Sequence, residues 1–261
     1  MFGLVNTLSV SEWTLEAAST SEAIDRVAAA GYPAIEIAAV PELDVRAASE
    51  RLDSRGLTVS SMCWIGLGYP ERDCAHESDR IRRKAADYLR LCLEQAHALG
   101  ASTLVLVPTF RTVPDAAGRQ AELDRAAETI SGVIDATAAD GIVIALEALN
   151  RYETHLLRTL DDAEELRRLI DSPNVQLMAD VFHMNIEEDS IAASIRAHGE
   201  HIVHVHLADN QRREPGSGHL DFAPVFEALA DNRYSGALAM EFLPAPDTAI
   251  RAGREWVEAR L

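Results

Sequence analysis

The sequence predicts an α/β fold, a (β/α)8 barrel formed as one domain over residues 1–261. Three observations carry that expectation. Short apolar, β-branched runs alternate with longer stretches of helical periodicity. Eight such strand–helix units fit within the 261 residues, as the barrel requires. A doubly wound open sheet is the rival, but it wants a Gly-rich phosphate turn after its first strand, and "NTLSVSEW" stands there instead.

The expected strands are "FGLVN" (2–6), "AIEIA" (34–38), "TVSSM" (58–62), "STLVLV" (102–107), "IVIALE" (142–147), "VQLMAD" (175–180), "IVHVHL" (202–207) and "GALAMEF" (236–242). Between them, "SEAIDRVAAAG" (21–31) opens on a serine cap and closes on Gly31, which suits a left-handed helix end. "DRIRRKAADYLRLCLEQAHALG" (79–100) is long, amphipathic and also ends in glycine. Its Leu89, Cys92, Leu93 and Ala96 share a helical face, so Cys92 is read as core. "AAETISGVIDATAADG" (126–141) repeats the pattern.

Forty-two acidic residues against 24 basic ones give a formal charge of −18. That field repels phosphate backbones and anionic lipid, so neither nucleic acid nor a membrane surface is expected as partner. A small ligand or a divalent cation suits it. The cysteines Cys63, Cys74 and Cys92 form no close pair, which argues for a reducing, cytoplasmic setting. No apolar run approaches the roughly 18 residues of a membrane span, and no secretory signal is read at the start.

In such a barrel, chemistry gathers at the C-terminal ends of the strands. Four successive expected strands end there on polar residues: Glu147, Asp180, His206 and Glu241. Three crowded carboxylates repel, so they must take up protons or share a cation. Three carboxylates and one imidazole form a ligand set for one divalent metal of intermediate hardness, Mn²⁺ first, with Co²⁺ or Mg²⁺ as alternatives. His204 shares the face of His206 one layer deeper, where it is placed to support an ion rather than to hold it.

At these residues the chain resembles the xylose isomerase-like barrel superfamily, and within it the D-tagatose 3-epimerase group of ketose 3-epimerases. The likeness rests on "GLTVSSMCWIGLG" (56–68), "ALEALNRYETHL" (145–156), "DVFHMNIEE" (180–188), "HVHLADNQRREPGSGHLDF" (204–222) and "AMEF" (239–242), and it covers nearly the whole chain. The resemblance implies that Glu147, Asp180, His206 and Glu241 are metal ligands. It implies that Glu147 and Glu241 also form the acid/base pair on opposite sides of the substrate's C3. By the same resemblance, Glu153 contacts substrate and orients a histidine, His183 and Arg212 hydrogen-bond the substrate oxygen at C2, and Cys63 lies among the sugar contacts.

The implied activity is that of a metal-dependent sugar isomerase or epimerase, which abstracts a proton next to a ketose carbonyl and returns one to C3 through an enediolate. Two segments depart from the family pattern. "ADNQR" (208–212) replaces a Gly-Glu-containing turn, and "PTFRTVPDAAGRQ" (108–120) is shorter than its usual counterpart. Both line the expected pocket, so a substrate larger than a free hexose is the alternative. Its extreme form is a metal-dependent lyase that eliminates the aglycone of a 3-keto glycoside, with a partner subunit. By analogy a homo-oligomer is expected.

Overall fold

A computed structural model describes residues 6–137, 141–243 and 246–261. Its eight strands are β1 (Leu8–Ser11), β2 (Ala34–Ala39), β3 (Thr58–Trp64), β4 (Thr103–Leu106), β5 (Val143–Leu146), β6 (Val175–Asp180), β7 (Ile202–Leu207) and β8 (Ala237–Met240). They pair in parallel, each with its sequence neighbour, and β1 closes on β8 through Leu8↔Leu238 and Val10↔Met240. The predicted barrel is present. Residues 2–5 of the expected first strand lie outside the described residues, Asn6 precedes the strand, and β1 itself is "LSVS".

Among the described residues, nine helices surround the barrel: α1 (Thr20–Ala29), α2 (Val45–Arg55), α3 (Asp79–Ala98), α4 (Arg119–Thr137), α5 (Leu160–Ile170), α6 (Val181–Glu187), α7 (Ile191–His198), α8 (Ala223–Asp231) and α9 (Asp247–Glu258). Helix α1 starts two residues earlier than the sequence suggests, because Ser19, not Ser21, is the cap and accepts the N–H of Glu22. Gly31 does adopt the left-handed conformation just beyond its end. Helix α4 begins well before 126, while 138–140 of the expected segment lie outside the described residues.

The main apolar core is the layer between strands and helices, built from residues such as Ile35, Ile37, Leu104, Leu106, Val205 and Leu207. Cys92 is fully buried within it. The barrel interior is different. Ser9, Ser11, Glu36, Ser61, His204 and His206 are all buried, and only a small apolar group (Cys63, Val105, Ala145 and Met178) packs among them. The alternation along each strand sends apolar side chains outward and these polar ones inward. Among the described residues, no helix is long and apolar enough to cross a membrane.

Helix α5 is fastened by a reciprocal cap. Thr159 Oγ1 accepts the Asp162 N–H, and Asp162 returns an oxygen to the Thr159 N–H. Thr159→Ala is expected to cost about 1 kcal/mol, which lowers the thermal midpoint by about 2–4 °C. Calorimetric melting checks this, with divalent-ion affinity expected to stay unchanged.

Candidate active site

Each of the four strand-end residues reaches the same point by a different local route. Glu147 and Glu241 stand one residue beyond β5 and β8, Asp180 is the last residue of β6, and His206 is the last inward residue of β7. All four are buried, and one ligand atom from each lies within 4.8 Å of the others. His206 Nδ1 is 3.4 Å from Glu241 Oε2, 3.7 Å from Asp180 Oδ2 and 3.8 Å from Glu147 Oε1.

Those separations fit an ion. Ligand atoms at about 2.0–2.2 Å from a metal stand roughly 3 to 3.5 Å apart around it, close to what is seen. Asp180 Oδ2 and His206 Nδ1 are buried without any hydrogen-bond partner, an arrangement that is costly unless something else binds them. A divalent cation at their centre would satisfy both.

Asp180 is divided between two tasks. Strand β6 runs directly into α6, and Asp180 Oδ1 caps that helix by accepting the N–H groups of Phe182 (2.7 Å) and His183 (3.1 Å). The other oxygen is thereby aimed at the ion site. The same turn brings His183 back over the site, its Nε2 3.6 Å from Asp180 Oδ2. The neighbouring His183, His206 and Arg212 hold the Asp180 carboxyl far below its ordinary range, against the effect of burial.

Glu147 shows the opposite balance. Burial pushes its carboxyl well above the usual range, and the charges of Glu241, Asp180 and Glu36 push it further, against the opposing effect of His206. For His206, burial alone would lower the ring, but Glu36 and Glu241 raise it well above an ordinary histidine.

His183 is held in one tautomer. The Asn150 backbone N–H donates to its Nδ1 (3.1 Å), so the proton of the neutral ring is on Nε2. Asn150 Nδ2 lies 2.8 Å from the same nitrogen and 3.0 Å from Glu153 Oε1, while Asn150 Oδ1 accepts the Tyr152 N–H and fixes the amide's orientation. Glu153 itself is 4.0 Å from His183, so its influence on the ring passes through Asn150. Arg212 Nη1 approaches His183 Nε2 at 3.2 Å. Two N–H donors this close can both be accepted by one oxygen bound beside them.

Arg212 has a left-handed backbone (φ 53°) in the loop after β7. Asp209, fully buried, folds that loop by accepting the N–H groups of Asn210, Gly216 and Leu220. The loop is tied to the chain beyond β8 by the Leu243 N–H, which donates to the Arg212 carbonyl. Arg212 Nη2 then donates to Glu241 Oε2 (2.9 Å), and Trp13 Nε1 donates to Glu241 Oε1 (2.9 Å). Arg213 stays on the surface beside Glu214.

Above these four residues opens a cavity of about 340 Å³. Glu147, Glu153, His183, Arg212 and Glu241 form its polar wall, and Cys63 lies on the opposing apolar wall with Trp64, Val107 and Phe110. Cys63 thus packs inside the barrel and faces the cavity at once; burial pushes its thiol well above the usual range, and the nearby carboxylates add to this. His219 is exposed, outside the cavity lining. The sequence reading passed over Trp13, Glu36, Asn150 and Asp209. Of these, only Glu36 carried a local signal, a charge inside the apolar run "AIEIA".

A profile of the family described as "Xylose isomerase-like TIM barrel" matches residues 24–260. The chain is 32% identical over 241 residues to a D-psicose 3-epimerase of Enterocloster bolteae, covering 88% of this chain and 79% of the relative. It is 34% identical over 198 residues to a 3-dehydro-D-guloside 4-epimerase of Escherichia coli, covering 71% and 72%. The solved structure of a D-allulose 3-epimerase from a Methylomonas species, in complex with D-allulose, superposes with a TM-score of 0.89 at 26% identity, over 100% of this chain and 99% of the other.

The raised Glu147 and His206 set the pH dependence of ion binding. Both are shifted toward their protonated forms, which compete with an incoming cation, so apparent divalent-ion affinity is expected to rise with pH. Titration calorimetry in buffers of different ionisation enthalpy should register proton release on binding. Affinity that is flat with pH, with no protons released, would contradict the assignment.

Proposed function

Because the chain belongs to the xylose isomerase-like TIM barrel family, we propose that it is a divalent-metal-dependent sugar epimerase that inverts a ketose at C3. The observation that carries this reading is the pairing of two cavity-facing carboxylates, Glu147 and Glu241, with a buried Asp–His pair whose facing atoms lack partners. A cation held by Glu147, Asp180, His206 and Glu241, with Mn²⁺ the first choice and Co²⁺ or Mg²⁺ the alternatives, supplies Lewis acidity that favours loss of a proton beside a carbonyl.

The protein's own groups do the rest. Glu241 and Glu147 reach the cavity from staves separated by β6 and β7, so they approach a bound sugar from different sides. Glu241, held by Trp13 and Arg212, is oriented to take the C3 proton. Glu147, reaching the cavity from the other side, returns one to the opposite face. For the opposite epimer the roles exchange. His183 Nε2–H and Arg212 donate to the oxygen at C2 as it gains negative charge. Glu153 and Cys63 complete the sugar contacts from the two walls. A cytoplasmic, homo-oligomeric enzyme is part of the same proposal; the three cysteines, all free and buried, agree with a reducing compartment.

One observation favours a second substrate reading, a keto-glycoside. A neighbouring cavity of about 290 Å³ shares Gly66, Leu67 and Phe110 with the first and continues past Tyr69, Arg72, His76 and Arg111. It offers room for a substituent beyond the reacting ring. The E. coli relative carries a glycoside name in the same sense. On such a substrate, the same proton abstraction followed by loss of the aglycone would be the lyase outcome.

Incubation with ketohexoses and with 3-keto glycosides in heavy water containing Mn²⁺ distinguishes these readings. Deuterium entering at C3 of the ketose is the expected result; exchange only in glycosides moves the substrate assignment, and released aglycone identifies elimination. Glu147→Gln and Glu241→Gln are each expected to slow exchange by about 10²–10⁴-fold. Full activity in both variants would remove the acid/base pair from the mechanism.

A further inference from the structure

Directly below the ion site lies a second group of potential ligands, Glu36, His204 and His206. Glu36 points into the barrel from the middle of β2 and is fully buried. Its Oε1 accepts from Ser11 Oγ at 2.6 Å. Its Oε2 accepts from Ser61 Oγ at 2.6 Å and from the Nε2 atoms of His204 and His206, each at 3.0 Å.

These contacts are direct hydrogen bonds, and they leave no gap for a cation between donor and acceptor. All the facing atoms are satisfied, unlike Asp180 Oδ2 and His206 Nδ1 above. The group is therefore a hydrogen-bonded pedestal and not a second metal site. It is also costly. Glu36 adds a buried negative charge beneath three other carboxylates, where an apolar side chain would pack at less expense in free energy.

We propose that Glu36 is a positioning residue that keeps the His206 proton on Nε2 and so turns the Nδ1 lone pair toward Glu147, Asp180 and Glu241. A neutral imidazole carries one N–H, and the nitrogen facing a carboxylate must be the donor. The other nitrogen is then the ligand. His204 shares the same carboxylate oxygen and stands edge-on to the His206 ring, with centroids 5.1 Å apart and planes at 80°, which limits ring rotation. Ser11 and Ser61 fix the carboxylate in turn. The inference rests on the metal-centre reading given above and assigns a role to a residue outside the ligand set.

The test is Glu36→Gln, which keeps the shape but replaces one acceptor oxygen with a donor. Mn²⁺ affinity, measured by titration calorimetry, is expected to weaken by about 10–100-fold, while the melting temperature of the metal-free protein stays near that of wild type. Equal affinity in both proteins would overturn the inference. So would a weakened affinity matched by a metal-free form that has lost its fold.

Long-range ¹H–¹⁵N correlations of the Mg²⁺-loaded wild-type chain provide a measurement that needs no variant. The expected signature is His206 with its proton on Nε2; a proton on Nδ1 overturns the inference. If the wild-type chain binds no divalent ion in calorimetry, the metal-centre reading falls and takes this one with it. Tight wild-type binding with an indifferent Glu36→Gln removes this inference alone.

Discussion

Three carboxylates and a histidine, all buried, meet in the floor of an open cavity, and much of the upper barrel is arranged to tolerate that crowding. Two like charges 4 Å apart repel by about 4 kcal/mol at the effective dielectric of a protein surface, and by more where water is excluded. The chain answers with a specific counterweight for each group. The first turn of α6 holds one oxygen of Asp180, Trp13 and Arg212 clasp Glu241, and Glu147 rises toward its neutral form. What remains unbalanced is a pair of buried atoms aimed at one point. A dication there converts mutual repulsion into shared attraction.

The barrel suits this because each stave delivers one inward side chain per layer. Strand β7 uses the two-residue period twice: His206 serves the upper layer and His204 the layer beneath, while Val205 and Leu207 enter the core under the helices. Glu36 links the layers from across the ring. Closure of β1 on β8 also matters to the site, since it brings Trp13 to Glu241 across 228 residues of sequence. The fold is the means by which remote residues obtain short, directed contacts.

This division explains what could be read beforehand. Glu147, Asp180, His206 and Glu241 were legible because each ends an apolar run, and strand ends in a barrel converge whatever the loops do. The strand Leu8–Ser11 was not read because "LSVS" turns two serines into the polar interior, which leaves a weaker apolar signal than "FGLVN" just before it. Glu36 was overlooked although visible, because a single charge in a strand usually reads as a solvated face. Asn150 and Asp209 are another matter. Their importance comes from His183, 33 residues further on, and from backbone groups of a folded loop. No local pattern announces such partners.

The walls of the cavity separate chemistry from selection. Staves β5 to β8 and their loops supply Glu147, Glu153, Asp180, His183, His206, Arg212 and Glu241, while Trp13 Nε1 and Glu36 reach Glu241 and His206 from the first two staves. The opposing wall, from the segments after β1, β3 and β4, is apolar at Trp13, Trp64, Ile65, Leu67, Val107 and Phe110. Gly66 permits its tight packing, since a Cβ there would lie 2.6 Å from the Phe110 ring and 2.7 Å from Trp64 Nε1. The neighbouring cavity shares Gly66, Leu67 and Phe110 with this apolar wall and none of the polar wall's residues. Substitutions in the segments after β3 and β4 can therefore reshape the apolar wall without touching Glu147, Glu153, His183, Arg212 or Glu241. On this geometry, the polar and the apolar wall can vary independently in one barrel.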